Sequence, residues 1–272
     1  MKARRRHGLL VAIATFAVAL LLCFPILWLF FTSLKTESDA IATPPTLFVP
    51  LSFEHYRQAL SGEYPHFLKN TVIVTAASIA IAFLLGLPAA YKLAFFPGRK
   101  ANDFLFFVLS TRFMPGVAVI VPIFLLYTRI GLIDTLPGLV LMYTTLNLPI
   151  VVWLMRSFFK DVPYELIEAS LLEGASHSRI LWETVLPLSK AGLATTAFLL
   201  IILTWNEFFF AVNLSGHQAA TLPVFMASFF TSEGQSWARM SAAAFLAVLP
   251  VLLLGWVASR ALVKNVLAGA VK

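Results

Sequence analysis

Six stretches of this chain are long, apolar and almost free of charge, and nothing else in the sequence limits its fold as tightly. They are Leu9–Thr32, Asn70–Tyr91, Phe104–Thr128, Thr135–Met155, Ala191–Leu214 and Ser241–Ser259, with Arg112 interrupting the third and Glu207 the fifth. A helix needs about 20 apolar residues to cross a hydrocarbon core about 30 Å thick. With no water there to satisfy backbone groups, an isolated apolar segment has to be helical. The expected fold class is therefore all-α: a polytopic membrane helical bundle of six transmembrane helices. The composition agrees, because 60% of the residues are hydrophobic and only 12% charged, against roughly 25% charged in a soluble domain. A soluble fold or a disordered chain is excluded on that ground. The opening Met-Lys-Ala-Arg-Arg-Arg resembles the start of a signal peptide. The apolar run after it is too long, and no Ala-x-Ala cleavage site follows, so it reads as a retained span.

An even number of spans puts both termini on one side, and basic residues decide which. Fourteen of the 20 Lys and Arg fall on one side: Lys2, Arg4, Arg5, Arg6, Lys92, Arg99, Lys100, Arg156, Lys160, Arg179, Lys190, Arg260, Lys264 and Lys272. The other side has Lys35, Arg57, Lys69, Arg129 and Arg239. Both termini are thus expected in the cytoplasm, and the net charge of +7 reflects topology and contact with anionic lipid headgroups. Nucleic acid is not an expected partner. Cys23 is the one cysteine, which rules out an internal disulfide and a cysteine metal cluster. His55, His66, His177 and His217 lack metal-ligand spacing, so no metal site is expected.

Two connections are unusually informative. The outer loop, about residues 33–69, contains Pro44, Pro45 and Pro50 and ends in a short amphipathic stretch, Phe53 to Leu60; it reads as an extended excursion. The inner loop, about 156–190, runs RSFFKDVPYELIEASLLEGASHSRILWETVLPLSK, far more than two neighbouring spans need. Asp161 can cap a helix with Pro163 near its first turn, and Leu166, Ile167 and Leu171 recur at helical spacing against Glu165, Glu168 and Glu173. Gly174 supplies a left-handed C-cap, and Ser176 starts a second helix that Pro187 ends. The result is a helix-turn-helix between the fourth and fifth spans. Such a helix could lie flat at the lipid interface. Its three carboxylates oppose that, because the cytoplasmic leaflet is anionic. A protein groove suits it better, with apolar anchors inside and carboxylates at the rim.

Glu168-Ala169-Ser170, Gly174 and Leu186-Pro187 resemble the EAA loop of ABC importer permeases, with Ser170 in place of the second alanine and Glu173 where Asp commonly precedes the glycine. The resemblance extends along nearly the whole chain to the maltose-type carbohydrate permeases. It runs through Phe53-Glu54-His55-Tyr56, Ala89-Ala90-Tyr91, Phe96-Pro97-Gly98-Arg99, Gly131-Leu132-Ile133-Asp134-Thr135, Trp205-Asn206-Glu207 and the terminal Gly269-Ala270-Val271-Lys272. It implies a single permease domain over 1–272 in the cell inner membrane. The implied partners are a second permease subunit, homologous but different, a dimer of ATP-binding subunits and an extracytoplasmic solute-binding protein. ATP and Mg would sit on the partner ATPase, with no cofactor on this chain, which also lacks G-x-x-x-x-G-K-[ST]. ATPase-coupling residues would be Leu166, Ile167, Glu168, Ala169, Ser170, Leu171, Gly174, Leu186 and Pro187, with Glu168 making the charged contact, Gly174 the turn, and Leu166, Ile167 and Leu171 filling the groove. The tail from Leu267 to Lys272 is a further point of contact by likeness. The implied cargo is a sugar, sugar alcohol or small glycoside.

Ionisable groups inside a span are costly and tend to mark pathways. Arg112 and Glu207 are thus pathway candidates, with Trp205 and Asn206 beside Glu207, and Tyr143 and Asn147 one turn apart on the fourth span. Polar glue between helices accounts for the same residues, and Arg112 has two further readings: pairing with Glu207, or holding an unwound turn near Pro115. No residue has a catalytic pattern: there is no His-Glu-x-x-His, no G-x-S-x-G and no intramembrane Asp pair. The rival function is a subunit of an ion-coupled secondary transporter or channel, which six kinked spans and an embedded carboxylate also suit.

Overall fold

The computed structural model describes residues 2–231 and 234–270, with side chains described for 11–229 and 236–258. Helix accounts for nearly every element. In chain order these are α1 (Lys2–Ser33), α2 (Glu37–Ala40), α3 (Glu54–Ser61), α4 (Tyr64–Phe95), α5 (Ala101–Ser110), a 3-10 turn (Thr111–Phe113), α6 (Gly116–Ile130), α7 (Leu136–Lys160) and α8 (Tyr164–Leu172). There follow α9 (His177–Arg179), a π-helical stretch (Ile180–Val185), α10 (Leu186–Leu188), α11 (Lys190–Trp205), α12 (Phe209–Leu214), α13 (Leu222–Ala227) and α14 (Trp237–Ala270). Among the described residues one two-residue antiparallel pair, β1 (Phe230–Thr231) with β2 (Gly234–Gln235), departs from an all-helical chain. Val271 and Lys272 of the terminal motif lie outside the described residues, as do the side chains from Leu267 to Ala270.

Four helices are long and apolar enough to cross a membrane: Val11–Ser33 within α1, α4, α7 and Trp237–Ala258 within α14. Two bent pairs, Ala101–Arg112 with Gly116–Ile130 at 85° and His177–Leu188 with Lys190–Trp205 at 83°, raise the candidate spans to as many as six. The third and fifth apolar regions are both interrupted in the structure. The third breaks at Met114–Pro115, where a 3-10 turn meets a proline. The fifth stops at Trp205 and restarts at Phe209. At 1.5 Å per residue, 16-residue α11 is about 24 Å long, short of a hydrocarbon core of about 30 Å. The helices continue across Pro25, Pro88, Pro122 and Pro149, so proline alone does not decide where a span breaks.

The chain forms two compact units: residues up to Pro65 with Phe225–Leu249, and His66–Val224 with residues from Pro250 onward. In the first, Lys35 is only 2% exposed. Its Nζ donates to the Thr46 carbonyl at 2.6 Å and lies 4.5 Å from the centroid of the Phe31 ring, so a hydrogen bond and a cation–π contact replace its lost hydration. The Glu37 carboxylate accepts the amides of Ala238 and Arg239, both at 3.0 Å, and so caps the start of α14 from the other end of the sequence.

The second unit has two apolar clusters. One joins α4 and α7 to α8, the π-helical stretch and α11 through Leu87, Tyr91, Met155, Phe159, Ile167, Leu181, Val185 and Leu200. The other gathers Val74, Tyr127, Leu139, Tyr143, Phe210 and Leu214 around α6, α7 and α12. Gly192 lets α11 press against α7, since a Cβ there would overlap the Phe158 ring. The Gly131–Thr135 motif is a clamp. Thr135 caps α7 by accepting the Gly138 amide at 3.1 Å, while the Asp134 carboxylate accepts the amides of Gly216 (2.7 Å), Ala219 (2.9 Å) and Gln218 (3.3 Å). Bonds to a charged acceptor are worth about 1.5–3 kcal/mol each. Asp134→Ala is accordingly expected to lower the thermal unfolding midpoint of the purified protein by several degrees; an unchanged midpoint would mean that the 215–222 loop is held without the carboxylate, by Asn70, which donates to the Gln218 and Ala220 carbonyls, Thr71, which accepts the Leu222 amide, and His66 at the His217 carbonyl.

Candidate functional site

The loop between α7 and α11 is a hairpin fastened to its own chain on one face and open on the other. Helix α7 runs on to Lys160, and Asp161 is its C-cap instead of the N-cap of the next helix; α8 starts behind Pro163 with no side-chain cap. Ile167 is fully buried in the cluster with Tyr91, Phe159 and Leu181. That corrects its expected role: it cannot enter a partner's groove, and it seats α8 on this chain. Leu171 packs on the same cluster, half-buried. Leu166 is 41% exposed and Leu172 is 90% exposed, and Glu165, Glu168, Ala169 and Glu173 are exposed beside them. The reason is angular. At 100° per residue Leu171 lies about 40° from Ile167, whereas Leu166 lies about 100° and Leu172 about 140° away. Leu172 is the outward apolar side chain that the sequence reading did not single out, and its signal was a leucine out of phase with the buried stripe.

Gly174 has φ +81°, which closes the turn where a side chain would be strained, and Ala175 N donates back to the Ser170 carbonyl at 3.0 Å. Ser170 Oγ bonds Leu166 O at 2.8 Å, within α8. Ser176 caps the returning helix by accepting the Arg179 amide at 3.3 Å. The returning helix ends one residue past Pro187, at Leu188, as the sequence pattern expects. Because Pro187 has no N–H and crowds the carbonyl four residues back, the ladder upstream slips to π spacing: Leu186 N bonds Leu181 O. Leu186 is half-buried against the core, and Pro187 is exposed. The hairpin is also tied to the end of α4, where Tyr91 Oη meets His177 Nδ1 at 3.2 Å and Phe96 lies edge-on to the same imidazole. That explains Ala89-Ala90-Tyr91, whose small residues and buried Tyr91 pack under the hairpin.

The pathway candidates separate into two groups. Arg112 sits on the 3-10 turn and lines a cavity of about 310 Å³ with Thr111, Met114, Thr145, Phe209 and others. Among the described residues no carboxylate is within ion-pairing distance of it. Glu207 has other partners: Oε1 accepts the Phe210 amide at 2.9 Å and Oε2 the Ala211 amide at 3.1 Å, so it caps α12 across the break. The expected Arg112–Glu207 pair does not form, and the unwound turn at Pro115 does. Tyr143 Oη donates to the Glu207 carbonyl at 3.4 Å, and Asn147 Nδ2 donates to Thr204 Oγ1 at 2.9 Å. Tyr143 and Asn147 are both buried, and their bonds join α7 to the segment around Thr204 and Glu207; Trp205 is buried as well. Asn206 is exposed, and its amide bonds Ile202 O at 2.8 Å. The break in α5–α6 and the break between α11 and α12 meet at the Arg112 cavity, where Phe209 crowds Gly116.

Residues 82–266, which include both breaks and the whole hairpin, match the family described as the binding-protein-dependent transport system inner membrane component. This chain belongs to that family. It is a permease subunit of an ABC importer, a multi-pass inner-membrane protein. The permease is similar to the probable ABC transporter permease protein y4oR of Sinorhizobium fredii, with 33% identity over 94% of this chain and 92% of that one. It is also similar to the trehalose transport system permease SugB of Mycobacterium tuberculosis, 32% identical over 91% and 92% of the two chains. Its fold matches a chain of a bacterial ABC transporter that imports the acidic polysaccharide alginate, with a TM-score of 0.76 over 96% of this chain and 98% of that one, at 22% identity.

Proposed function

We propose that this permease passes a sugar, sugar alcohol or small glycoside across the inner membrane, driven by a separate ATPase that grips the 156–190 hairpin. Support for a carbohydrate cargo comes from relatives named for trehalose, sulfoquinovosyl glycerol and diacetylchitobiose transport. The observation that carries the coupling role is Leu172, an apolar side chain 90% exposed on a helix whose opposite face is locked into the chain's own core. A rigid hairpin with an apolar tip and a carboxylate rim suits a partner groove, and force on it would pass through Ile167 into α4, α7 and α11. The chain acts as a single permease domain over 1–272, with six spans and both termini cytoplasmic, as its basic residues favour. It pairs with a second, different permease subunit and an ATPase dimer, and it receives solute from an extracytoplasmic binding protein. ATP and Mg stay on the ATPase. A complex with a periplasmic protein is known for the alginate transporter of similar fold.

The test is uptake by inside-out-free vesicles loaded with ATP and supplied with binding protein outside. Uptake should need internal ATP and survive an ionophore, and an ATPase should co-purify with the tagged chain. Ionophore-sensitive uptake without ATP would sink the reading. Arg112, beside the cavity where both helix breaks meet, and Glu207, which shapes the second break, are the residues proposed to border the solute's route. Substrate sites in transporters commonly form at such interrupted helices.

A further inference from the structure

The groove between the end of α4 and the returning arm of the hairpin has no part in the reading above. Its volume is about 310 Å³. Pro88, Leu181 and Phe96 give it an apolar lining, Leu181 buried, together with Trp182, which is 43% exposed. Lys92 stands at the mouth, exposed, its Nζ 5.3 Å from the Phe96 ring centroid, and among the described residues no carboxylate is within ion-pairing distance of it. His177 and the Ser178 hydroxyl border the same mouth. The nearby Glu183 is already paired with Arg179 at 2.7 Å and adds no free negative charge.

A groove whose lining combines apolar side chains with an unpaired ammonium and hydrogen-bonding groups has the two-part chemistry of a phospholipid, apolar surface for an acyl chain and a cation for the phosphate. We propose that this groove holds one anionic phospholipid of the leaflet into which α4 ends. The two arms of the hairpin then have opposite electrostatic tasks. Helix α8, with exposed Glu165, Glu168 and Glu173, is repelled by anionic headgroups and left free for protein, while the Lys92–Trp182 side is held to the membrane by the lipid. A cation and an aromatic ring at a span end are the usual interfacial anchors, and one basic residue near an anionic surface contributes about 1 kcal/mol. The lipid would brace the hairpin at the same His177 that Tyr91 contacts, which ties this inference to the coupling role proposed above.

The test uses the assembled transporter in nanodiscs containing brominated phosphatidylglycerol or brominated phosphatidylcholine. Trp182 fluorescence is isolated as the difference between wild type and Trp182→Phe. Bromine on phosphatidylglycerol is expected to quench it with about fivefold preference over phosphatidylcholine, the fold-change equivalent to that ~1 kcal/mol, and Lys92→Gln should remove the preference. Equal quenching by both lipids overturns the proposal, as does a preference that survives Lys92→Gln. Absence of quenching in the assembled transporter also overturns it, since protein would then cover the groove. Both nanodisc leaflets have the same composition, so the readout does not depend on orientation, and its failure leaves the ATPase-coupling reading to be judged by its own uptake assay.

Discussion

Leu172→Asp is expected to abolish ATP-driven uptake, by tenfold or more, while leaving the chain folded, inserted and as heat-stable as the wild type. Leu172 is 90% exposed, so removing it takes almost nothing from this chain's own core. Any large loss must come from a surface it covers elsewhere. A fully seated leucine is worth about 1.5–3 kcal/mol, and a desolvated aspartate in its place adds a further penalty; together they exceed the 1.4 kcal/mol of a tenfold change in binding. The control is Ile167→Asp. Because Ile167 is fully buried between α4, α7 and α8, that substitution should reduce the amount of folded protein in the membrane before any question of coupling arises. Glu168→Arg should behave like Leu172→Asp, since Glu168 is exposed and its charge faces outward. Gly174→Asp should act through the turn, where φ +81° disfavours any side chain. The measurements are uptake, ATPase co-purification and unfolding temperature for each variant. Normal uptake by Leu172→Asp would refute the proposal that the tip of α8 seats in a partner. Loss of uptake together with loss of stability would place Leu172 in the wrong category, as a core residue of this chain.

Apolar length was readable from the sequence because it is a local property. A stretch such as Asn70–Tyr91 is apolar whatever surrounds it, and it duly lies within α4. The hairpin's turn was readable for the same reason: Gly174 and Ser176 act on their own backbone within a few residues. Burial of Ile167 was not, because it depends on Tyr91 and Leu181, which approach only after the hairpin folds back on α4 and α7. Without them, Leu166, Ile167 and Leu171 look like one face, although only two of the three share it. The helix breaks were hidden in another way. Arg112 and Glu207 were visible as charges out of place, and the sequence could not say that Glu207 spends both carboxylate oxygens on backbone amides. Pro187 marked the end of the returning helix to within a residue, but the widening of the ladder to π spacing upstream of it was not legible. The Asp134 clamp is of the same kind: its three amide partners lie 82 to 85 residues away.

Glu207→Leu is expected to stop uptake, by tenfold or more, with the hairpin and its ATPase contact left intact. The carboxylate sits where a span is interrupted between Trp205 and Phe209, and it satisfies two amides at the start of α12 that have no helical carbonyl to accept them. Leucine fits the volume but accepts nothing, so both partly buried amides lose their acceptor, at up to about 1–3 kcal/mol each where water does not replace it. The cheaper state is a continuous helix through 206–208. That would carry Phe209 and Phe210 away from Gly116 and reshape the cavity beside Arg112. Glu207→Gln separates capping from charge, since its amide oxygen still accepts one of the two bonds. If Glu207 acts as the cap, the glutamine variant should retain a substantial part of the uptake and the leucine variant almost none. If the charge itself binds solute or an ion, both should fail alike. Co-purification of the ATPase with Glu207→Leu is the internal control, because the hairpin rests on Ile167, Tyr91 and Leu181, which belong to a different apolar cluster from Phe210 and Leu214 of α12. An unchanged uptake rate in Glu207→Leu would show that the break in the fifth apolar region is held by packing alone, and that neither the cap nor the charge matters to passage of the solute.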